Sequence, residues 1–359
     1  MELKRINLCE AEKSLITCFE INRPVFLWGP PGIGKSDLIK KISEDISAML
    51  IDLRLSQFDP TDLRGIPYFN SQDCSMEWAP PADLPNREDA RKHERIILFL
   101  DELNSATPAV QAAAYQLILD RKIGNYSLPN NVLLVAAGNR ESDKGITFNM
   151  PSPLANRFIH LELKADFDTW LTWSIESNIH PDVVSYLTYS KSDLYDFDPR
   201  SASRAFATPR SWEFVSQILF SDSDEETRRN LISGTIGDGL TIKFMAYRKI
   251  SSKLPNPLDI LNGKVKKIDT KEISAHHSLI IGLCYELRSA SENKIESSLF
   301  HNLVDNFFKF IMQNFSVEMV IMGAKIALGK FNLPIENSKL KTLDEFHDKY
   351  GHYIHGASG

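Results

Sequence analysis

The chain has 359 residues, of which 43% are hydrophobic and 25% charged, and it carries a net charge of −6. These proportions describe a globular chain able to bury a core, and the length accommodates about two domains with a further C-terminal subdomain. The acidic balance gives no general attraction to nucleic acid or to an anionic membrane; the one short basic run, Lys264, Lys266 and Lys267, reads as a solvated loop.

Up to about residue 165, strand-like and helix-like segments alternate. Val25 to Trp28 is a short apolar run that ends in glycines, and Ser36 to Ile46 has helical spacing with Leu38, Ile39 and Ile42 on one face. Leu50 to Leu55 alternates like a strand, whereas Ile96 to Leu100 is a continuous apolar run with a sharp polar end. Ala109 to Leu119 is Ala-rich and helical, with Ser105 or Thr107 placed to cap it. Val132 to Ala137 is apolar throughout, and Phe158 to Leu163 alternates again. Strands alternating with helices predict an α/β fold, a parallel sheet with helices on both faces. Two insertions interrupt it. In residues 57–85, Gly65 to Phe69 and Met76 to Ala79 can pair across the polar tip Asn70 to Cys74, and a second hairpin is expected near Gly124-Asn125, within 120–130. Beyond about 166 the strand pattern stops. Asp168 to Ser177, Pro181 to Tyr189, Ser211 to Phe220 and Glu225 to Ser233 read as helices, and 271–330 is helical with an apolar cluster at Phe307, Phe308, Phe310 and Ile311. The expected domains are 1–165 (α/β), 166–270 (an all-α lid) and 271–359 (a helical C-terminal extension).

Gly29-Pro30-Pro31-Gly32-Ile33-Gly34-Lys35-Ser36 matches G-x-x-x-x-G-K-[ST] between an expected strand and an expected helix, the context this phosphate-binding motif needs. Glycines let backbone N–H groups wrap phosphate oxygens, and the helix N-terminus adds partial positive charge. Lys35 is expected on the β- and γ-phosphates, with the Ser36 hydroxyl as a Mg²⁺ ligand. Asp101-Glu102 closes the second apolar run, 65 residues after Ser36. The sheet would deliver both carboxylates beside the phosphate loop, Asp101 to hold Mg²⁺ and Glu102 to polarise an attacking water. Asn139 ends the third apolar run, where an amide can orient that water or contact the γ-phosphate; the plain alternative is a turn asparagine.

In this order the motifs resemble the AAA+ superfamily. Thr208-Pro209-Arg210-Ser211-Trp212-Glu213, with Asp62-Leu63-Arg64-Gly65 and Trp78-Ala79-Pro80-Pro81, looks like the MoxR-type group and its dynein-related relatives, over about residues 20–250. The resemblance implies the strand order 5-1-4-3-2 and a ring, usually of six subunits. It implies that Arg157 reaches the γ-phosphate held by a neighbouring subunit, with Arg140 the second choice, and that Arg210 on the lid senses the γ-phosphate. It also implies that the two hairpins face a pore or a substrate. The function expected is Mg-dependent ATP hydrolysis by an oligomeric ATPase that remodels or matures a partner protein, in some relatives one with a von Willebrand factor A domain. The competing readings are a nucleic-acid-dependent motor, disfavoured by the acidity, a nucleotide or small-molecule kinase, and a nucleotide-gated scaffold with little turnover. Cys9, Cys18, Cys74 and Cys284 lack the spacing of a zinc or redox motif, in keeping with a reducing compartment. No run approaches the ~18 apolar residues of a membrane span, and Met1 to Glu20 lacks the apolar core of a signal peptide, so a cytoplasmic protein is expected.

Overall fold

A computed structural model describes residues 3–143, 148–201, 203–331, 333–334 and 340–355. The chain divides into two compact units. The first is Met1–Thr169 with Phe197–Ala202 and Thr208–Arg210, and the second takes the remaining residues.

Among the described residues the first unit has ten strands: β1 (Arg5–Ile6), β2 (Val25–Trp28), β3 (Met49–Arg54), β4 (Ile66–Asn70), β5 (Ser75–Ala79), β6 (Ile96–Asp101), β7 (Lys122–Ile123), β8 (Tyr126–Ser127), β9 (Val132–Gly138) and β10 (Ile159–Leu163). Six of them make one parallel sheet in the order β1-β10-β2-β9-β6-β3. Without the two-residue edge strand β1 this is the order 5-1-4-3-2. The central strands β6 and β9 are buried along their whole length, as uninterrupted apolar runs require when both faces of a parallel sheet are covered. On one face Phe26, Leu98, Leu100 and Leu134 pack with Val110, Ala114 and Leu117 of helix Pro108–Asp120. The alternate residues Leu27, Ile97, Phe99 and Val135 are buried too, and helices Leu8–Glu20 and Lys35–Asp45 lie against strands of the same sheet.

Helix Leu8–Glu20 escapes a reading by apolar runs, because charges interrupt it. Its start signal is nonetheless local: Asn7 and Glu10 form a reciprocal capping box, with Glu10 N–H to Asn7 Oδ1 at 2.8 Å and Asn7 N–H to Glu10 Oε2 at 2.9 Å.

Both insertions are antiparallel hairpins. β4 and β5 pair from Ile66↔Ala79 to Asn70↔Ser75, and β7 pairs with β8. The base of the first is fixed by Gly65, whose φ of 89° and approach to the Ala79 carbonyl admit no side chain. The Arg64 guanidinium lies 4.2 Å above the Trp78 ring, and the turn glycine of the second hairpin, Gly124, faces Cβ, Cγ and Cδ1 of the same Trp78. The second hairpin is anchored by the Tyr126 hydroxyl, which donates to the Pro85 carbonyl at 2.5 Å. In contrast, Ile66, Tyr68, Phe69 and Met76 of the first hairpin are exposed.

The second unit is helical. Trp212, Tyr186, Phe244 and Tyr247 form an aromatic cluster around helices Pro181–Tyr189, Pro209–Phe220 and Asp238–Ser251. Further along, helices Ile273–Glu292, Ser297–Asn314 and Lys341–His355 bury Leu283, Phe307, Phe308 and Phe346. The last helix lies in a stretch whose polar and aromatic composition hides its period. Leu340, Leu343 and Phe346 recur every three residues and are all buried.

The Trp212 indole donates to the Asp193 carbonyl at 2.9 Å, and the Tyr186 hydroxyl donates to the Asp193 carboxylate at 2.5 Å. Trp212→Phe therefore opens a void and leaves a buried carbonyl without its donor. The variant should lose about 2–4 kcal/mol, read as a lowered Tm in a far-UV melt; an unchanged Tm would contradict this assignment.

Candidate functional site

The site grows out of the carboxyl edge of the sheet. β2 ends at Trp28, and the backbone turns through residues 29–34 before helix Lys35–Asp45 begins. Gly32 (φ 74°) and Gly34 (φ 91°) take left-handed conformations, which a side chain would strain. Leu38 N–H is the first amide of the helix to reach back, to the Gly34 carbonyl at 3.0 Å. The amides before it are left to point out of the helix start, together with the positive end of its dipole, as an anion site requires. Ile33 is buried and pins the loop from beneath.

Lys35 turns its ammonium back over this loop. It donates to the Gly29 carbonyl at 2.6 Å, the Pro30 carbonyl at 3.1 Å and Asn139 Oδ1 at 3.3 Å. All three acceptors are neutral oxygens. Burial consequently pushes its pKa down to about 8; Asp101 and Asp143 oppose the shift, and the Arg210 and Arg140 charges add to it. The adjacent Ser36 Oγ donates to Asp101 Oδ2 at 3.2 Å. Asp101, buried at the end of β6, also accepts from the Glu102 N–H at 2.9 Å. One hydroxyl and one carboxylate, both hard oxygen donors, suit a magnesium ion that keeps water and phosphate oxygens as its other ligands. Among the described residues no cluster of three or more His, Cys, Asp or Glu offers a metal site.

Glu102 stands one residue beyond Asp101 in the left-handed region (φ 56°), at a cost of about 1–2 kcal/mol for a residue with a side chain. Its carboxylate accepts a short hydrogen bond from Ser56 Oγ, so it faces the segment after β3 and makes no bond to Lys35 or Ser36. Asn139 follows β9, and its Oδ1 accepts from the Lys35 ammonium. Arg140 is bound within its own unit, paired with Glu162 at 3.0 Å and donating to the Leu163 carbonyl at 2.6 Å. Arg210 is exposed; its backbone N–H donates to the Gly32 carbonyl at 3.3 Å, and Thr208 packs so closely on Gly32 that a Cβ there would meet Oγ1 at 2.7 Å.

Arg157 lies elsewhere. It precedes β10, whose first residue Ile159 is in register with Val25, the first residue of β2. Arg157 is thus at the amino edge of the sheet, while the phosphate loop follows the opposite edge, about 13 Å away along a four-residue strand. Its side chain is exposed and has no hydrogen bond or ion pair among the described residues.

The structure therefore brings together Lys35, Ser36, Asp101 and Asn139, sets Glu102 beside them facing Ser56, and keeps Arg157 apart. Sequence reasoning misses Ser56 and Asn104. Asn104 left a faint signal as a polar residue three positions after Asp101, just where the chain enters an apolar helix. Ser56 left none.

A nucleotide-binding loop at the carboxyl edge of a parallel 5-1-4-3-2 sheet, with Ser36 and Asp101 adjoining, defines a P-loop ATPase. Residues 25–163 match the family described as "ATPase family associated with various cellular activities (AAA)". A curated relative, midasin from Giardia intestinalis, is 26% identical over 208 residues, which is 52% of this chain and 4% of that protein. This chain thus spans only a small fraction of the relative's length. Two solved structures align more loosely. NtrX from Brucella abortus in complex with ADP is 14% identical, covers 85% of this chain and 70% of its own, and has a TM-score of 0.40. A RuvB variant from Thermotoga maritima is 18% identical, covers 87% and 91%, and has a TM-score of 0.38. At those scores neither adds to the fold defined by the strand order.

The lowered pKa of Lys35 makes a sign-definite prediction. The ammonium is present below about pH 8 and is lost as pH rises through that value, whereas a bound phosphate would hold the proton on. ATP affinity should therefore fall by about tenfold between pH 7.5 and pH 9, followed by calorimetry at constant magnesium. A flat profile would contradict burial of this amine.

Proposed function

We propose that the protein is a magnesium-dependent ATPase that works as a ring of identical subunits and uses hydrolysis to remodel or mature a partner protein, in the manner of the MoxR-type group. The observation that carries the hydrolytic part is the convergence of Lys35, Ser36, Asp101 and Asn139 at one sheet edge. In this reading Gly29, Pro30, Pro31, Gly32, Ile33 and Gly34 shape the cradle, and Lys35 neutralises the β- and γ-phosphates. Ser36 and Asp101 hold the magnesium ion, which when bound supplies positive charge to the phosphate oxygens. Glu102 orients the attacking water once it leaves Ser56, and Asn139 contacts the γ-phosphate or that water. Arg210, anchored by its backbone to Gly32, reports the nucleotide state.

Support for the ring comes from Arg157. It is exposed at the edge opposite its own phosphate loop, which leaves it available to a neighbour's site, where an arginine is worth about 10³–10⁵ in rate. Support for a partner protein comes from the exposed Ile66, Tyr68, Phe69 and Met76 on the anchored first hairpin. No helix among the described residues is long and apolar enough to cross a membrane. The identity of the partner, including any von Willebrand factor A domain, rests on the resemblance alone.

One observation favours a second reading, a nucleotide-gated scaffold of low turnover: the Ser56–Glu102 hydrogen bond holds the base away from the loop. Ser56→Ala separates the two. If Ser56 restrains an active base, basal phosphate release rises severalfold; if Glu102 has no such role, the rate stays at the wild-type value.

The ring is tested by turnover per subunit against protein concentration, with sizing in parallel. Turnover should climb as subunits associate, and Arg157→Ala should lower the plateau by at least about 10²-fold while ATP affinity stays within about threefold. Full activity in a species that sizes as a monomer would sink the trans-acting arginine.

A further inference from the structure

Two chain segments that leave neighbouring strands are joined at Asn104, through its side chain and its main chain. Asn104, just past the end of β6, is 2% exposed. Its Nδ2 donates to the Asn139 main-chain carbonyl at 2.7 Å, and the Asn104 main-chain carbonyl accepts the Phe148 N–H at 2.7 Å. Asn139 and Phe148, both beyond β9, thus each bond to Asn104. The fit beside Asn139 is tight. A Cβ on Gly138 would lie 2.1 Å from Asn104 Oδ1 and 2.9 Å from Phe26 Cζ; the amide has room because residue 138 has no side chain. Asn104 Oδ1 accepts no hydrogen bond among the described residues. The Nδ2 contact therefore sets the orientation of the amide, since a flipped amide would turn oxygen against the Asn139 carbonyl oxygen.

We infer that Asn104 is a positioning residue that sets where the Asn139 amide stands against Lys35, and through it how strongly the site distinguishes a nucleoside triphosphate from a diphosphate. The inference rests on the proposed contact of Asn139 with the γ-phosphate. Asn139 Oδ1 is 3.3 Å from the Lys35 ammonium, and its main-chain carbonyl is tied down by Asn104 on the next strand end. Without that bond the half-buried Asn139 carbonyl loses its side-chain donor, and the residue that carries the amide can slide along the strand direction. A displaced amide weakens a directed contact with the γ-phosphate and leaves the contacts to a diphosphate in place. A merely structural Asn104 would affect the melting temperature and leave nucleotide discrimination alone.

The test uses the full chain in magnesium buffer and the ratio of Kd for ADP to Kd for ATPγS, measured by calorimetry. It compares wild type, Asn104→Ala, Asn139→Ala and the double variant. Asn104→Ala should cut the ratio by about tenfold, with ADP affinity within about twofold of wild type, and the double variant should fall no lower than Asn139→Ala alone. An unchanged ratio in folded Asn104→Ala overturns the inference, as does a double variant in which the two losses multiply. If Asn139→Ala itself keeps the wild-type ratio, the reading of Asn139 fails first, and that result is distinct from the other two. Should Asn104→Ala not fold, Asn104→Asp keeps the shape and removes the donor; the same loss is expected, and a wild-type ratio there overturns the assignment.

Discussion

The site depends on a topological constraint: β2, β9 and β6 are adjacent and parallel, so three segments distant in sequence end at one edge. Glu102 and Asn139 then need no long-range design of their own. Each sits one step beyond a strand, and the register Trp28↔Gly138 together with Leu100↔Ala136 brings those steps level with the phosphate loop. Burial does the rest. A lysine closed over its own loop by neutral oxygens holds its charge at the expense of a depressed pKa, and an incoming phosphate relieves that cost.

Much of this was legible in sequence for a physical reason. Strands buried on both faces must be apolar throughout, so β6 and β9 announce themselves and their polar ends mark Asp101, Glu102 and Asn139. The phosphate loop is legible because close backbone approach demands glycine. Both hairpins could be read from alternation about a polar tip. Less could be read where order comes from tertiary contact. Helix Lys341–His355 shows in the burial of Leu343 and Phe346, and β1 is two residues that exist only by pairing with β10. Trp212, conspicuous within a string that resembles known motifs, turns out to serve the core of the helical unit.

The residues that sequence reasoning missed share one property: each acts on another site residue and not on a ligand. Ser56 follows β3 and meets Glu102; Asn104 follows β6 and meets Asn139. Neither has a spacing dictated by the chemistry of phosphate. Only the fold determines that they meet, so a motif search passes over them. Arg140 illustrates the reverse. Its place beside Asn139 makes it a candidate to act on a neighbour, yet Glu162 and the Leu163 carbonyl occupy it, whereas the Arg157 side chain on the opposite edge is exposed.

The measurement that bears most directly on the site is ATP binding and single-turnover phosphate release by Glu102→Gln beside the wild type. If Glu102 orients water and the loop with Lys35 and Ser36 holds the nucleotide, the variant binds ATP with wild-type affinity and releases phosphate at least about 10²-fold more slowly. Phosphate release at the wild-type rate would contradict the account, because the carboxylate at the end of β6 would then have no part in hydrolysis.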